Sequence, residues 1–295
     1  MKVLVTGSHG LIASALIPRL EHDGHSVTRL VRQAPGAGEL QWDPEVGTID
    51  RDGLEGHDAV VHMAGVGIGD HRWTDEHKRA VLDSRVKGTR LLSEALAALE
   101  RKPVFVSGSA IGYYGNRGDE ELTETSAPGD DFLASICTQW EGATSPAEDA
   151  GLRVVHLRTG IVLSGAGGAF KKMVTPFKLG LGGRLGSGRQ WFSWVHIDDE
   201  VGAIVHALTR DDVRGALNAV SPNPATNADF TKALGRALHR PTVMPVPSFG
   251  LRLLFGREMA DTMMLSGQRV LPKMLARTGY AFSQPDLDAA LASVV

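Results

Sequence analysis

The residues best placed to do chemistry stand at the start of the chain, in Thr6-Gly7-Ser8-His9-Gly10-Leu11-Ile12-Ala13. They follow the apolar run Val3-Leu4-Val5 and open a segment with helical periodicity. Glycines at 7 and 10 let the main chain turn tightly and approach a ligand, and the amides that open a helix favour negative charge. Strand, turn and helix in that order predict a pyrophosphate cradle made by Gly7, Ser8, Gly10, Leu11 and Ile12. Ala13 stands where a third glycine is common, a position that serves helix–strand packing and tolerates a methyl group. The end of the second strand selects the cofactor. An NAD site places Asp or Glu there to accept from the ribose 2′-hydroxyl, whereas this stretch reads Arg29-Leu30-Val31-Arg32-Gln33, with no acid before Glu39. The Arg32 guanidinium suits a 2′-phosphate in charge and shape, so the expected cofactor is NADP.

Catalytic candidates are sparser. Tyr113 and Tyr114 follow the strand candidate at 104–107, near the carboxyl end of the sheet where ligands bind, and Tyr114 is the expected donor to a substrate carbonyl. Cys137, a lone thiol in an apolar helix, reads first as a small buried hydrophobe, and His196 as a structural histidine beside Asp198 or Asp199. Lys171, Lys172 and Arg184 read equally as solvated charges or as a clamp for an anionic substrate. No His/Cys/Asp/Glu group has metal-site spacing, so no metal is expected. With 31 basic against 34 acidic residues and net charge −3, the chain carries no footprint for a polyanion, which argues against a nucleic-acid partner. No apolar run approaches the roughly 18 residues of a span, so no membrane partner is expected. The opening apolar stretch is too short for a signal peptide, and the single cysteine forms no disulfide framework; a cytoplasmic protein is the expectation.

Short β-branched runs alternate with longer helical patterns through the first half, which predicts βαβ units and a parallel sheet. Strands are expected at 3–6, 27–31, 59–63, 104–107 and 154–157, and helices at 11–21, 74–99 and 130–150. Pro18 is expected to kink or shorten the first helix. Beyond residue 160, glycines break the chain into loops, followed by helices at 198–208 and 229–238, a strand at 217–220, and short C-terminal helices. The reading is α/β: a Rossmann-type doubly wound parallel sheet with a small mixed C-terminal region that closes over a substrate cleft. The expected division is residues 1–220 for the dinucleotide-binding part and 221–295 for a small helical domain.

Further motifs carry a resemblance. Thr6-Gly7-x-x-Gly10, Asp58-Ala59-Val60-Val61-His62-Met63-Ala64-Gly65 and Val86-x-Gly88-Thr89 resemble the extended short-chain dehydrogenase/reductases. Trp42-Asp43-Pro44, Arg72-Trp73-Thr74, Gly112-Tyr113-Tyr114-Gly115, Trp194-Val195-His196-Ile197-Asp198 and Asn218-Ala219-Val220-Ser221-Pro222 are similar to their epimerase-family, YfcH-like (SulA-type) subgroup. The resemblance spans essentially the whole chain. It implies that Val31 and Arg32 hold the 2′-phosphate end, that Met63, Ala64 and Gly65 line the adenosine–pyrophosphate run, that Arg85 reaches a phosphate or ribose, and that Ile161 walls the nicotinamide. It also implies a homodimer through a helix pair, here 74–99 and 130–150. The superfamily's proton relay is a Tyr, a Lys four residues on and a Ser. Anchoring on Glu141 puts Leu133 and Cys137 at the Tyr and Lys positions; Ala110 falls at the Ser position, with Ser109 one residue away as the remaining hydroxyl. The expected function is an NADP-dependent oxidoreductase, or a nucleotide-sugar-epimerase-like enzyme, on a small carbonyl or hydroxyl substrate. The alternative is an NADPH-binding regulatory protein, which needs the pocket but no relay.

Overall fold

The computed structural model describes all of residues 1–295. Fourteen strands are formed: β1 Lys2–Thr6, β2 Ser26–Val31, β3 Glu39–Asp43, β4 Thr48–Ile49, β5 Ala59–His62, β6 Val104–Ala110, β7 Glu121–Leu122, β8 Val154–Thr159, β9 Ile161–Leu163, β10 Trp191–Phe192, β11 Trp194–His196, β12 Gly215–Ala219, β13 Ala225–Thr226 and β14 Arg269–Val270. Eight make one sheet in the order β12-β8-β6-β5-β1-β2-β3-β4, parallel throughout except for the short β4. The chain runs outward from β1 to β2 on one side and returns to β5 on the other, so the direction of winding switches at β1, where α/β sheets bind ligands. This is a Rossmann-like α/β fold.

The helices are α1 Leu11–His22, α2 Arg51–Leu54, α3 Asp75–Ala98, α4 Phe132–Gly142, α5 Ser145–Asp149, α6 Gly168–Lys178, α7 Ile197–Thr209, α8 Asn227–Leu238, α9 Ser248–Phe255, α10 Arg257–Met259, α11 Lys273–Arg277 and α12 Leu287–Val294. Both faces of the sheet are covered, which is why its strands are apolar at consecutive positions. Val3, Val5, Val61, Val106 and Val155 pack under α1 and α7, whereas Leu4, Val60, Phe105 and Val154 pack under α3 and α5. A third core joins Leu163, Phe170 and Trp194 to Phe230 of α8 and Leu291 of α12.

The shortening expected at Pro18 and the single helix expected at 130–150 are corrected. α1 runs unbroken through Pro18 to His22, because Pro18 lies on the exposed face, where water meets the carbonyl it leaves free. The single helix expected at 130–150 is two, α4 and α5. Pro146 near the start of α5 lacks the amide needed to continue α4, and Thr144 Oγ1 donates to the Glu141 carbonyl at the break (2.7 Å). The β3–β4 hairpin was not expected. Its residues, Glu39-Leu40-Gln41-Trp42-Asp43, are too polar for a buried strand, and they form the outer edge of the sheet.

Candidate functional site

Parallel strands β1, β2, β5, β6 and β8 present their carboxyl ends on one side of the sheet, and the expected site residues follow those ends. Between β1 and α1, Gly7 adopts φ +63°, and a Cβ there would lie 2.9 Å from the Met63 carbonyl. Only glycine fits that approach. Gly10 N–H donates to Gly7 O (2.8 Å), closing the turn. Gly10 also caps α1, with no side chain bonded to the amides of its first turn, which leaves the helix N-terminus open to an anion. Ser8 is buried in the turn, and Leu11 and Ile12 are half-buried behind it.

A buried chain of polar groups fixes this turn against β5. Thr6 Oγ1 accepts from the amides of Met63 (3.1 Å) and Ala64 (3.2 Å), so its proton goes to His62 Nδ1 (2.7 Å). His62 must then carry its proton on Nε2, which donates to Thr89 Oγ1 (3.0 Å); the Trp140 indole donates to the same oxygen (2.9 Å). Complete burial pushes the His62 pKa down to about 3, so the imidazole stays neutral and holds the ends of β1 and β5 at a fixed spacing.

Val31 is buried at the end of β2, and Arg32 after it is exposed. On α3, Arg85 is half-buried. It donates to the carbonyls of Val66 (2.8 Å) and Val81 (3.0 Å) through Nη1 alone and lies 5.0 Å above the Trp140 ring. Burial pulls its pKa below the usual arginine range, and the Cys137 sulfur is the group that opposes this. Gly65 lies against the Arg85 side chain, where a Cβ would be 3.3 Å from the guanidinium. The structure therefore brings Met63, Ala64, Gly65 and Arg85 together around the loop after β5. Ile161 opens β9, which pairs with β11 at Trp194, next to the close contact of Gly160 with Ser193 and Val220.

Beside these residues lies a second network. Ser109 Oγ donates to Glu141 Oε1 (2.7 Å), and Arg158 binds both Glu141 oxygens (2.8 and 2.9 Å). Arg158 also donates to Tyr114 Oη (2.9 Å), which in turn donates to Asn218 Oδ1 (2.6 Å). Tyr114 is 0% exposed, and burial drives its pKa up to about 12 against the opposing charge of Arg158. It thus lies deeper than its place after β6 implied, with its hydroxyl committed at both sides. Tyr280, in the C-terminal region, donates to Asp199 (3.1 Å). Of the three tyrosines, Tyr113 alone has a hydroxyl with no partner in the chain; it is half-buried, and the Arg158 guanidinium lies 3.4 Å from its ring centre. From the sequence, Glu141 served only as an alignment anchor, and Arg158, Asn218 and His62 were given no role in the site. An arginine and a histidine inside strands covered on both faces are the signal that finds them, since such groups persist there only with partners.

Cys137 and His196 are structural, and Lys171, Lys172 and Arg184 are exposed. Burial, with the Glu141 charge beside it, pushes the Cys137 thiol up to about 12. His196 caps α7, accepting from the Asp198 amide (3.2 Å), and shares a hydrogen bond with Ser293 Oγ (3.0 Å). Lys172 is paired with Asp70 (2.9 Å).

Buried His62 and Glu200 give stability a defined pH dependence. Glu200 on α7 is fully buried, accepts from Thr159 (2.7 Å), and has its second oxygen unpartnered; burial raises its pKa to about 8. Between 4.5 and about 8 the unfolded chain sheds a proton that folded Glu200 keeps, so stability falls as pH rises through that range. Between 6.5 and about 3 the unfolded chain takes up a proton that folded His62 refuses, so stability falls as pH drops. From these two groups, stability is greatest at mildly acidic pH. Glu200→Gln removes the alkaline limb: the melting temperature of the variant minus that of the parent is expected to climb from pH 5 to pH 8, and a flat difference would contradict the assignment.

Comparison with known proteins shows the family. The profile of the NAD dependent epimerase/dehydratase family matches residues 3–219. The chain belongs to that family. Residues 246–294 match a domain of unknown function. An epimerase family protein of Mycobacterium bovis is 45% identical over 290 residues, covering 98% of this chain and 96% of the relative. The crystal structure of human epimerase family protein SDR39U1 (isoform 2) with NADPH is 41% identical, with TM-score 0.92, over 100% of this chain and 99% of that one. A nucleoside-diphosphate sugar epimerase from Corynebacterium glutamicum is 40% identical, with TM-score 0.82, over 99% of this chain and 57% of that chain. For an epimerase/dehydratase family member, the open α1 N-terminus, the glycine-only turn and the unpaired Arg32 fit a phosphorylated dinucleotide.

Proposed function

We infer that the chain is an NADPH-dependent oxidoreductase acting on a small carbonyl substrate. Gly7, Ser8, Gly10, Leu11 and Ile12 hold the pyrophosphate, Val31 and Arg32 the 2′-phosphate, Met63, Ala64 and Gly65 the adenosine side, and Ile161 the nicotinamide side. The part over 1–220 carries the cofactor, and residues 221–295 close the substrate side. Bound NADPH supplies a hydride; the chain must supply a proton and an electrophile for the substrate oxygen.

Tyr113 carries the reading. It is the one phenol with an uncommitted hydroxyl, and it sits in the turn after β6 next to Gly112, which packs on Leu133 and Cys137, the places where the superfamily keeps its Tyr and Lys. Tyr113 donates the proton. Arg85, with donors to spare and no carboxylate partner, supplies beside Cys137 the cation that the missing Lys would have given. Ser109 and Tyr114 act as positioning residues through Glu141 and Arg158. A nucleotide-sugar epimerase is the weaker reading, because oxidising a sugar needs a base at positions occupied by Leu133 and Cys137.

The test follows reduced-nicotinamide absorbance across a library of carbonyl compounds. Tyr113→Phe is expected to lower kcat by about a hundredfold or more with NADPH affinity retained. Tyr114→Phe is expected to lower the melting temperature while leaving substantial turnover. Tight NADPH binding without turnover on any carbonyl would favour the regulatory reading, to which the absent Tyr/Lys pair also points.

A further inference from the structure

Most of the large apolar side chains exposed on this protein stand in two short stretches of chain. Leu179 and Leu181 follow α6, Val243 and Met244 precede α9, and Phe249, Leu253 and Leu254 lie on α9; each is between 64% and 85% exposed. The stretches run side by side. Gly186 N–H donates to Val246 O (2.9 Å), Val246 N–H donates to Arg184 O (2.8 Å), and Gly183 packs on the Met244 carbonyl. Arg72 fixes α9 from the other side by donating to the carbonyls of Leu253 (3.2 Å) and Leu254 (2.6 Å).

The charge of these stretches departs from that of the whole. In a chain of net charge −3, residues 165–197 contain five lysines and arginines and no acid, and residues 230–257 contain five more and no acid. Among the acids near them, Asp70 is engaged by Lys172, Asp288 by Arg236, Glu258 by Lys78 and Asp261 by Arg252, whereas Asp198 and Asp229 stand at the ends of the two stretches with no lysine or arginine partner. Lys171, Lys178, Lys232 and Arg240 have no such partner. A shallow hollow beside the apolar residues is lined by Lys232, Arg236, His239 and Arg240.

We propose that this face binds the surface of an anionic lipid bilayer, with the protruding apolar side chains entering the headgroup boundary and the surrounding cations meeting lipid phosphates. Apolar residues rimmed by basic ones are the combination that an interfacial site needs. The apolar side chains are largely exposed over most of their surface, which suits a deformable bilayer. A second copy is disfavoured, because symmetric pairing of this face would oppose two sets of unneutralised cations. No helix is long and apolar enough to cross a membrane, so the contact is peripheral. The lack of an apolar span, the ground for expecting no membrane partner, bears on crossing a bilayer and not on resting against one.

Co-sedimentation of the full chain with large unilamellar vesicles tests this. Vesicles of phosphatidylcholine with phosphatidylglycerol are expected to retain the protein about tenfold more strongly than phosphatidylcholine alone, and added salt should release it. The double variants Phe249→Ser/Leu253→Ser and Lys171→Glu/Lys178→Glu should each lose that retention while keeping the parent's NADPH titration and melting temperature. Equal retention on neutral vesicles, or none on either, overturns the proposal. So does a dimer in light scattering that Phe249→Ser/Leu253→Ser dissolves, if vesicle binding is absent. Retention by soluble polyglutamate without retention by vesicles overturns it in favour of an acidic protein partner.

Discussion

Replacing Gly7 by alanine is expected to weaken NADPH binding by about a hundredfold or more. The residue sits at φ +63°, which costs an L-amino acid about 1–2 kcal/mol, and the new Cβ would lie 2.9 Å from the carbonyl carbon and oxygen of Met63. Those atoms belong to the main chain at the end of β5, held by Thr6 and His62, and cannot swing away as a side chain would. The turn must therefore open, which moves the α1 amides from the phosphates. Calorimetric titration should show a loss of about a hundredfold or more in affinity, while circular dichroism retains the α/β spectrum. An alanine variant that binds as the parent does would mean that the turn is not the phosphate cradle.

Glu141→Ala is the second large effect, and it falls on stability. Arg158 is 4% exposed and Glu141 10% exposed, and their pairing is bidentate. Burial disfavours the Arg158 charge, but the hydrogen bonds and charge of Glu141 outweigh that and raise its pKa. Removing the carboxylate strands a buried guanidinium at a cost of about 3–5 kcal/mol. For a chain of this size the melting temperature should drop by roughly 6–15 °C. Glu141→Ala/Arg158→Met should recover much of the loss, since no unpaired charge remains. Scanning calorimetry of the parent and both variants checks this; a single variant as stable as the parent would show that the pair is not structural.

These two sites differ in how far the sequence disclosed them, and the reason is range. The β1–α1 turn is written in adjacent residues, because a tight turn and a helix start depend on local backbone geometry, and Gly7, Gly10 and Ala13 carry it. The parallel strands were legible for the same reason, as apolar runs bounded by turn residues. The Ser109–Glu141–Arg158–Tyr114–Asn218 network was not. Tyr114 and Asn218 are 104 residues apart, and only the placement of β12 beside β8 brings them together. Position after β6 marked both tyrosines as candidates, but which phenol faces inward depends on the single turn of 3-10 helix at Ile111–Tyr114, and no periodicity in four residues reveals that. The β3–β4 edge was missed because Trp42 is its only deeply buried residue, packed against His62 at 5.7 Å between ring centres.

The central claim is that the opening turn grips a diphosphate while Arg32 meets the additional phosphate of NADP. Parallel calorimetric titrations of the unmodified protein with NADPH and with NADH test it most directly. The predicted result is saturable binding of both, with NADPH tighter by about 10–100-fold, as one charge-assisted phosphate contact provides. Equal affinities would contradict the role of Arg32, and an absence of heat with either nucleotide at millimolar concentration would contradict the cofactor site itself.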